Sequence, residues 1–193
     1  MYDMARSPHP LALLLPILLA AAACMSPARQ IATEAPAAQA SAVDTALTSD
    51  AEILGVLHAS NVGESSAANI AKDRSNDSAV KAFADMMIAD HAKLDQQGTA
   101  LAQQIGVTPA PASATLTSLQ NFEEDSLKAS ERGAVFDRLY LAQQIDAHQR
   151  VLDLVNSSIS KAKHAELKTA LQTQIKPMVE AHLAKAKAII SRP

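Results

Sequence analysis

Four side chains that can bind metal ions fall at helical spacing from apolar residues: Glu64, His91, His148 and His182. His91, for example, lies four residues after Met87 and three before Leu94, so a helix would turn all three toward one side. A carboxylate or an imidazole is costly to bury without a partner. Four such groups facing inward therefore predict either a hydrogen-bonded polar cluster that fixes helix register, or a site for a divalent ion such as Zn²⁺, Fe²⁺ or Mn²⁺.

A second pattern pairs methionine with histidine. Met87 lies four residues before His91, and Met178 lies four residues before His182, so each thioether shares a helix face with an imidazole. This soft donor pair suits Cu(I). Methionine also fills irregular gaps in apolar cores, and the pattern leaves both interpretations open.

The other acidic residues are expected at the surface. Asp90, Asp146 and Glu180 lie one or two residues before their histidines, which rotates them by about 100–200° around a helix, outward or sideways. The run 123–125 (Glu-Glu-Asp) is typical of a solvated helix face. The chain also lacks a G-x-S-x-G elbow and the glycine-rich nucleotide-binding loops, and we expect a protein that is not an enzyme.

Helices must position these side chains, because apolar residues recur at helical spacing and no alternating strand pattern occurs. Ser49 or Asp50 caps a first helix that ends in the polar run 73–77, and Asn76 or Asp77 caps a second that ends near Ile105. Two further long helices are predicted at about 134–158 and 163–191, the last kinked at Pro177. Apolar residues predict a shorter helix in the middle connection: Leu116, Leu119, Phe122 and Leu127. The prediction is an all-α, antiparallel four-helix bundle with a short extra helix.

The start of the chain indicates export. Residues 1–23 contain an apolar run that is too short to cross a bilayer and are typical of a signal peptide. Cys24, the only cysteine, resembles the lipidated cysteine of bacterial lipoproteins, which predicts a membrane anchor; the alternative is ordinary cleavage near Ala23 or Ala28. Met25 follows the cysteine, and the resemblance then implies the periplasmic side of the outer membrane. Residues 24–48 are predicted to be a flexible Ala/Pro-rich tether, and residues 49–193 the folded domain.

Composition argues against nucleic acid as a partner. The net charge is −3, tryptophan is absent, and the chain has only 2 Tyr and 3 Phe. Nucleic-acid binding needs a basic surface, and single strands also need stacking aromatics, so we expect no nucleic-acid partner. A protein partner in the envelope is a further interpretation that the sequence leaves open.

Several segments resemble the DUF4142 family: VKAFADMMIADH (80–91), FDRLYL (136–141) leading to His148, PMVEAHL (177–183), and Glu64 in its Ala-rich helix. The resemblance covers about Asp50 to Ile190 and implies an exported bacterial protein with a ferritin-like four-helix fold and no established function. Classical di-iron sites of that fold have a Glu three residues before the His, where this chain has Ile88, Ile145 and Val179. Our leading hypothesis is a non-enzymatic envelope protein whose inward Glu/His cluster is structural. The alternatives are an ion-storing, sensing or redox-protective metal protein, and a partner-binding module.

Overall fold

The computed structural model of the protein describes residues 47–192, and this part of the chain is helical without a β-strand. The predicted signal peptide, Cys24 and all but the last two residues of the predicted tether lie outside the described residues. The helices are α1 (Asp50–Arg74), α2 (Ser78–Gln104), α3 (Ala114–Ala129), α4 (Ala134–Lys161), α5 (Ala165–Ala170) and α6 (Lys176–Ile190), with a π-helical turn (Leu171–Ile175) joining the last two. None of the helices described combines the length and hydropathy that crossing a lipid bilayer requires.

The helix starts follow from side-chain caps. Ser49 accepts a hydrogen bond from the amide of Glu52, and the Glu52 carboxylate accepts one from the amide of Ser49, so the pair forms a capping box at the start of α1. Asp77 accepts hydrogen bonds from the amides of Ala79 and Val80 at the start of α2. Of the two candidates predicted at each helix start, the caps are therefore Ser49 and not Asp50, and Asp77 and not Asn76.

The middle connection contains the predicted shorter helix, α3, which Ser113 caps by accepting from the amide of Leu116. Leu116, Leu119 and Leu127 are buried, whereas Phe122, the fourth apolar residue of the predicted pattern, is 37% exposed. Gly133 has a φ of 94°, a conformation that glycine adopts without a steric penalty, and α4 begins at the next residue. α4 continues three residues beyond the predicted end.

The last long helix departs from a regular α-helix where proline was expected to disturb it. Pro177 has no amide hydrogen to donate, and in the turn just before it the amide of Lys176 donates to the carbonyl of Leu171, five residues earlier. The predicted kink therefore takes the form of a widened π-helical turn. The helix also begins at Ala165 instead of Lys163, because the amides of residues 163 and 164 donate to the buried Asp50 carboxylate.

Two apolar clusters occupy the interior. One contains Ile53, Leu57, Ala102, Leu154, Leu167 and Leu171, among others. The other contains Ala68, Phe83, Met87, Tyr140, Leu141 and Ala186, among others. On each of the four long helical stretches, the inward Glu or His lies between the residues of one cluster and those of the other. The buried polar groups therefore form a layer between two apolar regions.

Candidate metal centre

Three histidines from three helices converge in this polar layer. His91 of α2, His148 of α4 and His182 of α6 are 5%, 2% and 2% exposed. Each offers one ring nitrogen to a group in which all three nitrogens lie within 4.8 Å of one another. Periodicity predicted that each of these side chains faces inward, and the structure adds that the three meet at one level of the packed helices.

The partners of His148 and His182 determine which nitrogen carries the proton. The Nδ1 of His148 lies 2.8 Å from the backbone carbonyl oxygen of Gln144, which can only accept, so Nδ1 is the protonated nitrogen. The Nε2 of His182 lies 3.0 Å from the Asp90 carboxylate and donates to it in the same way. The other two nitrogens, Nε2 of His148 and Nδ1 of His182, are 3.3 Å apart. In the neutral rings, two lone pairs therefore face each other.

His91 completes the arrangement. Its Nδ1 lies 3.0 Å from the side-chain oxygen of Asn61 on α1 and donates to it. Its Nε2 is buried and has no hydrogen-bond partner among the described residues. Each of the three rings thus donates its N–H to an acceptor outside the cluster, and its other, unprotonated nitrogen faces the other two rings.

Burial keeps these rings neutral. Removal from water disfavours the imidazolium form and lowers the pKa of His91 to about 3, with the neighbouring His148 and His182 adding to the effect. Burial also lowers the pKa of His148 to about 4, against the opposing effect of its bond to the Gln144 carbonyl. The pKa of His182 is lowered by burial too, although the Asp90 carboxylate opposes the shift. At neutral pH all three are in the form that binds metals.

The geometry suits an ion that prefers nitrogen ligands. Two nitrogens bound to a tetrahedral Zn²⁺ at 2.0–2.1 Å lie about 3.3 Å apart, which matches the His148–His182 separation. The three ring nitrogens together are spread over distances of up to 4.8 Å, so metal binding would draw the imidazoles together by about 1 Å. Three neutral imidazoles suit Zn²⁺ or another borderline transition-metal ion better than Mg²⁺ or Ca²⁺, which prefer oxygen.

Asp90 belongs to this site, and the prediction that it faces outward or sideways misses its role. Its side chain is about one-third exposed, yet its carboxylate reaches His182 on the neighbouring helix. A residue next to an inward histidine lies about 100° around the helix, at the edge of the buried face, where a short side chain can contact the adjoining helix. A carboxylate that orients a ligand imidazole and raises its basicity is a common feature of metal sites.

Sequence reasoning also missed Asn61 and Gln144. Asn61 lies three residues before Glu64, and Gln144 lies four before His148, so both occupy the faces that carry the predicted site residues. Their spacing from Glu64 and His148 could have identified these two residues. Neutral amides are also common on solvated helix faces, so spacing alone did not distinguish Asn61 and Gln144 from surface residues.

The structure does not place Glu64 among the converging histidines. Its side chain is buried, 8% exposed, and it lines a cavity with Gln144 and Arg150. The group of converging ligand atoms consists of the three histidines and does not include it. Burial raises the pKa of Glu64 to about 7, with Gln144 and Arg150 opposing the shift.

The two methionines differ in their surroundings. Met87 is fully buried in the apolar cluster with Phe83 and Tyr140, and Met178 is partly buried. Their role as copper ligands stays a prediction. Among the remaining histidines, His58 lies at the surface against Asp95, and His164 binds the Asp50 carboxylate at the start of α5.

The described residues define an all-helical protein with a buried three-histidine cluster whose outer nitrogens are held by an amide, a carbonyl and a carboxylate. The family model for a domain of unknown function, DUF4142, matches residues 32–189. The chain therefore belongs to the DUF4142 family, as the motif resemblance predicted. No curated protein and no solved structure matches it.

Proposed function

We propose that this DUF4142 protein binds a borderline transition-metal ion, Zn²⁺ in the first place, through His91, His148 and His182, and that it stores or senses the ion in the cell envelope. The observation that supports this most is the pair of facing nitrogens on His148 and His182. Each ring has committed its proton on the opposite side, so the close approach needs a cation between the lone pairs. A metal ion satisfies both nitrogens and the unpartnered Nε2 of His91 together.

The structural hypothesis, favoured on sequence grounds, explains this arrangement less well. A purely structural cluster would pair each buried donor with an acceptor, because an unpaired buried polar atom costs about 1–3 kcal/mol. Here three acceptor nitrogens converge and no donor lies among them. The proposal assigns the ion to the histidines alone, because the Glu64 carboxylate lines a separate cavity.

The sequence supports the bundle fold, the export and the membrane anchor of the protein. We propose that the helices form the antiparallel, ferritin-like bundle that the family resemblance implies, exported by the signal peptide and anchored to the outer membrane through a lipid on Cys24. The ferritin-like relation does not extend to di-iron chemistry in this proposal, because the cluster contains no carboxylate ligand.

Metal analysis of protein purified without a histidine tag tests the binding site. We expect one equivalent of bound ion per chain, a higher melting temperature with Zn²⁺ than with chelator, and loss of both in His148→Ala. His58→Ala is the matched control, because that histidine is at the surface and outside the cluster. Protein that takes up no ion from a Zn²⁺-buffered solution and melts identically with chelator would refute the proposal in favour of a structural cluster.

Fractionation of cells tests the location independently. We expect the intact protein in the outer-membrane fraction and Cys24→Ser in the soluble periplasm. Persistent membrane association of Cys24→Ser would refute lipidation at that residue and leave the metal site unaffected.

A further inference from the structure

A cavity of about 50 Å³ with a mixed polar and apolar lining lies between α1, α3 and α4. Its polar lining includes Glu64, Glu123, Gln143, Gln144 and Arg150. Gln144 borders both features, because its backbone carbonyl accepts from His148 while its side chain lines the cavity. The cavity is nonetheless a separate place, since the metal-competent group contains no cavity-lining residue.

Three acceptor atoms on the residues lining this cavity are buried without a hydrogen-bond partner in the described part of the chain: Glu64 Oε2, Gln143 Oε1 and Gln144 Oε1. The orientation of the Gln143 amide is determined by chemistry, because its nitrogen donates to the carbonyl of Glu123 and to the hydroxyl of Ser126. Glu64 and Gln144 are more than nine-tenths buried. Three residues that line one cavity therefore each carry a buried oxygen without a donor, and one of these oxygens belongs to a carboxylate.

The charges favour a cationic donor. Arg150 is the basic group of the lining, and its guanidinium donates to the Glu123 carboxylate at 2.8 Å. Both side chains are about one-fifth exposed, and the pair neutralises itself. Glu64 Oε2 has no hydrogen-bond partner among the described residues, and the ionised carboxylate is stabilised only by Gln144 and by the charge of Arg150, which Glu123 shares. A cationic ligand would supply the missing partner.

The size and walls of the cavity favour an organic cation over a metal ion. A volume of about 50 Å³ holds roughly four water-sized groups, enough for an ammonium head and a short stem. Apolar side chains line the remaining wall: Val56, Leu116, Val151 and Leu154. A hard metal ion needs about six or more oxygens or waters around it, which an apolar wall cannot supply. A primary ammonium has three N–H donors, one for each unpaired oxygen.

We propose that this cavity binds the head group of a primary alkylammonium ion, with Glu64 carrying the opposite charge and the amide oxygens of Gln143 and Gln144 accepting its other hydrogens. The alkyl stem lies against the apolar wall. This site is independent of the histidine cluster, and its test does not depend on bound metal.

Calorimetric titration of the full chain, in chelator at pH 8, tests the proposal with methylammonium and ethylammonium chloride. Burial raises the pKa of Glu64 to about 7, so this pH leaves the carboxylate ionised. We expect saturable binding of one equivalent, and no binding of tetramethylammonium, which has the same charge and no N–H donor. Glu64→Gln should weaken methylammonium binding at least tenfold. Glu180→Gln, which removes an exposed carboxylate on α6, should leave it unchanged.

A second variant keeps the test independent of the charge change. Ala67→Leu fills the cavity from its wall and retains Glu64, and it should abolish binding while circular dichroism shows a folded protein. Equal binding of tetramethylammonium, unsaturable uptake by the intact protein, or undiminished binding in both variants would overturn the proposal. Saturable binding of Ca²⁺ that depends on Glu64 and excludes methylammonium would overturn it in favour of a metal site.

Discussion

Acidification should destabilise the metal-free protein through its buried imidazoles, and His91 offers the clearest test. An unfolded histidine has a pKa near 6.5, whereas burial lowers the pKa of His91 in the folded protein to about 3. Between these pH values His91 is protonated in the unfolded state and unprotonated in the folded state. Its contribution to the free energy of unfolding is therefore lost as the pH falls from about 6.5 toward 3. At pH 5, two units above the folded pKa, the loss from this residue amounts to about 2 kcal/mol.

The measurement is the free energy of unfolding by urea, followed by circular dichroism at pH 8 and pH 5 with chelator present. Between these two pH values, wild type should lose about 2 kcal/mol more stability than His91→Gln. The opposite contribution of Glu64, whose pKa is raised, is present in both proteins and cancels in the comparison. Ala92→Gln introduces the same amide at the exposed neighbouring position and should behave as wild type. An equal loss in wild type and His91→Gln would show that burial does not hold this imidazole neutral.

Three further predictions concern other parts of the structure. Asp90→Asn removes the carboxylate that orients the imidazole of His182, and it should weaken Zn²⁺ binding by about 10–100-fold. A competition titration with a chromophoric chelator measures the affinity, and an unchanged affinity would exclude this role for Asp90. Between pH 4.5 and 7, wild type should lose about 3 kcal/mol of unfolding free energy relative to Glu64→Gln, because the folded state holds the Glu64 proton to higher pH than the unfolded state does. The histidine contributions are common to both proteins and cancel, and an equal change in the two would contradict the raised pKa. Gly55→Ala should destabilise the protein by about 1–3 kcal/mol, because the added Cβ would collide with the backbone carbonyl of Ala110. Gly98→Ala should stabilise it by about 0.5–1 kcal/mol, because the added Cβ meets open space and alanine favours a helix. Similar shifts in melting temperature for the two variants would contradict this reasoning.

Much of the helical layout could be predicted because its signals are local. Ser49 and Asp77 cap the helices predicted to follow them, since a short side chain satisfies amides two or three residues away. Phe122 shows the limit of the same reasoning. It contributes to the apolar pattern that predicts α3, but spacing along one helix does not tell which of its apolar residues the other helices cover, and Phe122 is 37% exposed.

The hydrogen-bond partners of the site could not be predicted, because they come from other helices. Asp90 reaches His182 across 92 positions of the chain, and Asn61 reaches His91 across 30. No local spacing relates such pairs, since their contact depends on how far one helix is shifted along another. The same shift separates Glu64 from the three imidazoles with which the sequence grouped it.

The sequence by itself determined that each long helical stretch turns one Glu or His of metal-binding type toward the interior, because a period of 3.6 residues assigns every side chain to a face of its own helix. Only the tertiary structure decided that three of these groups meet, which ring nitrogens remain unprotonated, and that the fourth lines a separate cavity. The physical reason is that periodicity fixes rotation about a helix axis, whereas position along that axis follows from loop lengths and the packing of side chains between helices.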